Sequence, residues 1–174
     1  VSAGETRAGL PIGAAGGAAS YEIRSAAGAA DREACFAVRR RVFVVEQHVP
    51  EDLEFDSHDA LDAAAAHVLA VRGDGLPLGT SRLLYGPEAA DRTGGDLTVG
   101  SLGRLAVAEE ARGLGIGAAL VRAVEDLARE RGLLTVELHA QTRALGFYGR
   151  LGYEAYGVEY ESVGIPHRGM RRVL

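Results

Sequence analysis

Lysine is missing altogether: all 19 basic residues are arginine. A nucleotide P-loop, G-x-x-x-x-G-K-[ST], cannot be written without one. Cysteine occurs once, at Cys35. That excludes an internal disulfide and suits a reducing compartment. No apolar run approaches the ~20 residues of a membrane span, and the N-terminal stretch has no apolar signal segment. A cytoplasmic protein without a membrane partner is expected. A basic excess is missing too: the formal net charge is −5. This argues against a nucleic-acid partner held by phosphate contacts and is compatible with a substrate carrying an amine. The exclusive use of arginine, with abundant alanine and glycine, reads as genomic composition bias. The 174 residues suit one domain with a sizeable core. Residues 1–20, mostly alanine, glycine and small polar side chains, read as a flexible leader, and 21–174 as a single folded domain.

The most informative stretch is 102–131, LGRLAVAEEARGLGIGAALVRAVEDLARER. A strand at 104–107 leads through a short acidic loop into a glycine-rich turn and a helix over about 115–131. Ile116, Leu120, Val124 and Leu127 form one apolar stripe on that helix, and Gly132 is placed to end it. Arg112, Gly115 and Gly117 make the pattern R-x-x-G-x-G. The first amides of a helix have no partner within it, and its dipole there favours negative charge. With little side chain in the way, the turn can cradle a phosphate or pyrophosphate. Glycines that only solve a tight turn would read the same way.

Two other motifs compete. Residues 113–118, GLGIGA, fit the Rossmann pattern G-x-G-x-x-A, and Glu137 lies about 20 residues on, where a ribose-binding acid is expected. Rossmann glycines follow their strand directly, however, and here 108–112 intervene. A nucleophile elbow, G-x-S-x-G, is missed by one position in 99–103.

The remaining chain reads as a strand at 21–24, a helix at 29 to about 43, and a hairpin of 67–71 and 78–85 turned by Arg72-Gly73-Asp74-Gly75. Residues 97–107 form the central strand, with a bulge expected at Gly100 or Gly103. After the long helix come a strand at 133–138, a short helix at 141–151, and strands at 153–160 and 167–174. Arg39, Arg40 and Arg41 mark a polar helix face that can reach an acidic neighbour. The acids of 46–62 include Asp52, Glu54 and Asp56 at EF-hand spacing, but Ser57 replaces the required glycine and Ala63 the closing glutamate. No metal is expected. The acidic stretch reads as a solvated loop or as a rim attracting a cationic amine. With one βαβ crossover, the fold class is α/β of the mixed α+β kind: a central mixed, largely antiparallel sheet with helices on both faces.

R-x-x-G-x-G after an L-x-V strand resembles the acyl-CoA signature of the GNAT N-acetyltransferases. Gln141-Thr142-Arg143-Ala144-Leu145-Gly146-Phe147-Tyr148 is similar to that family's N-x-x-A-x-x-x-Y, with glutamine for asparagine. Residues 147–153, FYGRLGY, resemble its FYxxLGF/Y. Residues 42–47 and 164–167 resemble its ElaA-like and YjcF-like branch. The matches span about 39–170.

The resemblance implies acetyl transfer from acetyl-CoA to a small-molecule or peptide amine, by direct attack and without a nucleophilic side chain. Cys35 is then core. It implies that Leu105, Ala106 and Val107 meet the pantetheine arm and that Arg112, Gly113, Leu114, Gly115, Ile116, Gly117 and Ala118 hold the pyrophosphate. Gln141, Ala144, Phe147 and Tyr148 would also contact the coenzyme. Tyr148 becomes the acid for the leaving thiolate. Glu46, His139 and His67 are the candidate bases, Glu46 and His139 foremost, with Glu137 on the same strand face as His139, and His67 and His167 are candidates for the acceptor pocket. A non-catalytic acyl-CoA-binding domain is the alternative, and a homodimer is left open.

Overall fold

The computed structural model describes residues 20–174. Apart from Ser20, the leader expected over 1–20 lies outside the described residues. The fold is a mixed α/β arrangement around a seven-stranded sheet ordered β1-β2-β3-β4-β5-β7-β6. The strands are β1 (Tyr21–Ser25), β2 (Ala65–Arg72), β3 (Pro77–Leu84), β4 (Val99–Val107), β5 (Thr135–Gln141), β6 (Glu154–Ser162) and β7 (Ile165–Val173). Only β4 and β5 run parallel; every other neighbouring pair is antiparallel. The last strand inserts between β5 and β6, leaving β6 at the edge.

The helix α4 (Ile116–Glu130) makes the parallel crossover between β4 and β5. Its stripe of Ile116, Leu120, Val124 and Leu127 is buried in the main core with Val68 and Ala70. Burial of each such side chain contributes about 1.5–3 kcal/mol. Gly132 ends the helix in a left-handed conformation (φ +73°). Leu133 donates its N–H to the Ala128 carbonyl and Gly132 to that of Arg129, the two bonds of a Schellman cap.

The opposite face of the sheet carries α1 (Ala29–Arg39), with Cys35 buried against Leu69 and Val71. Where a regular helix is expected to about 43, the backbone widens into a π-helical segment, Arg40–Glu46. Its last bond, Gln47 N–H to the Val42 carbonyl, spans five residues and leaves Glu46 and Gln47 at the mouth of a cleft. The acidic stretch is not a free loop. It forms α2 (Glu51–Glu54) and a 3₁₀ turn (Ser57–Asp59) closed by a capping box between Asp56 and Asp59. A short helix α3 (Ala90–Thr93) precedes β4, and α5 (Leu145–Arg150) follows a 3₁₀ turn after β5.

Candidate functional site

The cleft opens because β4 and β5 part company. They pair from Val99 with Thr135 to Leu102 with Leu138, and no further. Just after Gly103 the β3–β4 register slips by one residue, and Arg104 sits at φ +54°. This bulge bends β4 away from β5. It falls beside one of the two glycines expected to carry it. Beyond it, Ala108 donates its N–H to the Leu78 carbonyl of β3. Strand alternation therefore turns the backbone groups of Leu105 and Val107 away from β3, toward the gap. The gap, with 104–107 on one wall and 138–141 on the other, is part of a cleft of about 1060 Å³.

The glycine turn closes one end. Gly113 and Gly115 both take positive φ, +81° and +79°. These are conformations that side-chain-bearing residues adopt at a cost of about 1–2 kcal/mol. The first intrahelical bond is from Ala119 to Gly115, and no side chain caps the helix. The amides of Ile116, Gly117 and Ala118 are thus left without helical partners, at the positive end of a 15-residue dipole. A Cβ on Gly117 would lie 3.3 Å from the Phe147 ring, so the backbone there is bare because nothing larger fits comfortably. These features fit a doubly charged linker. Arg112 flanks them, donating Nε to the Val107 carbonyl (3.1 Å) and Nη2 to Glu46 (2.6 Å).

Tyr148 of α5 lines the cleft and is largely buried between Phe147 and Tyr153. Burial pushes its phenol well above the usual range, so it remains a hydroxyl at neutral pH. Ala144 and Phe147 line the same wall. Gln141 is the last residue of β5 rather than the first of a helix. Its amide nitrogen donates to the Gln47 side chain (2.8 Å), tying β5 to the π-helical segment.

The other face of β5 presents Glu137, His139 and Gln141. His139 Nε2 lies 3.1 Å from Glu137 Oε2, and Nδ1 lies 2.6 Å from the Tyr160 hydroxyl of β6. Tyr160 was not singled out by sequence, because its partner is brought close only by the insertion of β7. His167 stacks on Tyr160 and lines the cleft, its Nδ1 donating to the Ile165 carbonyl.

One expected site residue is placed elsewhere. His67 is buried in β2 on the α1 face, packed edge-on against Phe36, and does not line the cleft. Alternation with core Val68 directs it there. Burial, with Arg32 nearby, pushes its pKa down to about 4. Glu46 lines the cleft at its mouth, where Arg112 holds its carboxylate, so service as a base would compete with that ion pair.

Glu54, Asp56 and Asp59 of the acidic rim are committed inward. Arg39, completely buried, binds Glu54 and Asp59 at 2.7 Å each. Arg82 binds Asp56 and Asp59, and Arg104 bridges Glu54 and Asp56. Arg40 pairs with Glu51 and Arg41 with Glu110. A neutralised network cannot attract a cationic amine as the isolated acids would. It buttresses the bulge.

Residues 30–174 match the family model described as an acetyltransferase (GNAT) domain. The chain is 36% identical over 138 residues to the uncharacterized protein YyaT of Bacillus subtilis, covering 79% of this chain and 86% of that protein. It is 33% identical to the uncharacterized N-acetyltransferase YjcF of the same organism, covering 79% and 89%. Among solved structures, an acyl-CoA N-acyltransferase from Pseudomonas aeruginosa superposes with a TM-score of 0.71 at 32% identity, over 90% of this chain and all of that one. Escherichia coli ElaA superposes with a TM-score of 0.74 at 27% identity, over 87% and 99%. With the parted strands and the bare helix mouth in place, these matches make the chain a member of the GNAT acetyltransferase family and an acyltransferase.

Proposed function

We propose that this acyltransferase moves an acetyl group from acetyl-CoA to a primary amine, on a small molecule or a peptide, by direct attack with both substrates bound. The observation that carries this reading is the gap between β4 and β5 ending at three uncommitted helix amides. The amides of Ile116, Gly117 and Ala118 would hold the pyrophosphate, with Arg112 beside them and Gly113, Leu114 and Gly115 shaping the turn. Backbone groups of Leu105 and Val107, with Ala106 between them, would pair with the pantetheine arm, and one N–H there would polarise the thioester carbonyl. Gln141, Ala144 and Phe147 would form the opposite wall. The thioester supplies the electrophilic carbon. Tyr148 would donate its proton to the departing thiolate. His167, across from that wall, would border the acceptor. A single domain acting in the cytoplasm completes the reading.

Incubation of the 174-residue chain with acetyl-CoA and a panel of primary amines tests it. Acceptor-dependent release of free thiol is expected. Coenzyme binding without thiol release from any amine would favour the binding-only alternative.

A further inference from the structure

We infer that Tyr160, His139 and Glu137 form a proton relay that deprotonates the acceptor ammonium, with Tyr160 as the group that touches it. This rests on the transferase reading above. The Glu137 carboxylate sets Oε2 3.1 Å from His139 Nε2, off the line of a hydrogen bond, and its negative charge there favours the neutral tautomer that carries its hydrogen on Nε2. The lone pair is then on Nδ1, where the Tyr160 hydroxyl points at it from 2.6 Å. Glu137 is itself buried, and the same Oε2 accepts a hydrogen bond from the Tyr156 hydroxyl at 3.3 Å. Carboxylate, imidazole and hydroxyl stand in the order that lets a hydroxyl oxygen take one proton as it gives up another.

The sheet builds this arrangement for a physical reason. His139, Gly169 and Tyr156 are paired across β5, β7 and β6, as are Gln141, His167 and Tyr160. The two tyrosines must lean over β7 to reach β5. Gly169 permits it for Tyr156: a Cβ there would lie 2.8–3.1 Å from three atoms of that ring. Tyr160 is braced from the other side by the stacked His167. Further charged groups facing the relay are Arg171 over the Tyr156 ring and Arg92, whose field reaches Tyr160. His139 and Tyr160 line the cleft, on the sheet face of Gln141 and Gln47, opposite the core face that holds Leu138 and Tyr148. Base and acid therefore approach the thioester from different sides of the sheet.

The protons balance. As Tyr160 accepts one from the ammonium, its own passes to His139 Nδ1, and the imidazolium is held by Glu137. The freed nitrogen lone pair forms the C–N bond, and the C–S bond breaks with its electrons on sulfur. Of the ammonium's three protons, one stays in the amide, one leaves through His139 to solvent, and one replaces the proton Tyr148 gives to the thiolate.

The test is amine-dependent thiol release from pH 6 to 10 by the wild-type chain, His139→Gln, Tyr160→Phe and Glu137→Gln, with coenzyme A affinity measured on each by calorimetry. Coenzyme affinity is expected to stay within about twofold. At pH 7 kcat/KM should fall roughly a hundredfold in His139→Gln and roughly tenfold in Tyr160→Phe. Both deficits should shrink toward the acceptor's own pKa, about 10.4 for a lysine-like amine, where no base is needed. Glu137, a positioning residue, should show the same alkaline recovery from a smaller loss. Variants that bind coenzyme and keep the wild-type rate and profile, or a deficit independent of pH, would overturn the relay alone. A wild-type chain that binds no coenzyme A, or releases no thiol to any amine, would overturn the transferase reading and the relay with it.

Discussion

Glu46 and Arg112, 66 positions apart, meet in an ion pair of 2.6 Å at the mouth of the cleft between β4 and β5. The pair fastens the end of the π-helical segment to the glycine turn. It also divides two roles that proximity alone would confuse. Arg112 is held where a pyrophosphate would lie, and Glu46 holds it.

Arg112→Ala is therefore expected to weaken coenzyme A binding about tenfold, or ~1.4 kcal/mol, as for loss of one charge-assisted contact near the surface. Glu46→Ala should leave the rate of amine acetylation within about threefold of wild type. Calorimetry for the first and steady-state kinetics for the second check the pair. A hundredfold rate loss in Glu46→Ala at unchanged coenzyme affinity would restore Glu46 as the base.

Tyr148→Phe keeps the ring packing against Phe147 and Tyr153 and removes only the hydroxyl. Turnover should drop by roughly a hundredfold while coenzyme A affinity barely changes. Single-turnover thiol release separates the chemistry from binding. An unchanged rate would strip Tyr148 of its part as acid.

Gly169→Ala puts a methyl group into the Tyr156 ring, where the nearest ring atom is 2.8 Å from the ideal Cβ. Displacing that ring loosens the hydroxyl's bond to Glu137. A stability loss of about 1–3 kcal/mol is expected, as for overpacking, measured by urea unfolding. The accompanying Tyr156→Leu change should recover part of it.

His67 carries a pH dependence of the fold. Its folded pKa is depressed, from 6.5 to about 4, because burial disfavours the imidazolium. Between those values the unfolded chain binds a proton that the folded chain does not. Stability is therefore full above about pH 6.5 and falls as pH drops toward 4, by on the order of 3 kcal/mol at most. Asp59, depressed by Arg39 and Arg82 against the desolvation of its own burial, adds its loss only at lower pH. Denaturant unfolding from pH 7 to 4 should show the slope, and His67→Gln should flatten it in that window.

The geometry of the glycine turn and the helix after it was legible in the sequence almost entirely. Its determinants are local: positive φ at Gly113 and Gly115, a helix start without a cap, and an apolar stripe ending at Gly132 all lie within one stretch. The rest of the cleft and the ionic network behind it were much less legible, because their contacts are long-range. Arg39, which reads as one of three arginines on a polar face, is the most buried charge in the core, and what buries it is a set of acids 15 and 20 residues on. His67 and His139 look alike as histidines at strand ends. Alternation sends one under α1, while the other has Tyr160 brought to it by β7. The switch from α to π geometry at Arg40 has no compositional mark, and the bulge next to Gly103 falls on Arg104, a residue with no special preference for positive φ.

The central claim is that bare amides at the start of α4 hold the donor's pyrophosphate. Calorimetric titration of the 174-residue chain with coenzyme A tests it most directly, run beside Gly117→Asp, which sets a carboxylate at that mouth against Phe147. The expected result is one saturable site in the wild type and none in the variant, with both chains folded by circular dichroism. No heat with the wild-type chain, or equal affinity in the two, would contradict it.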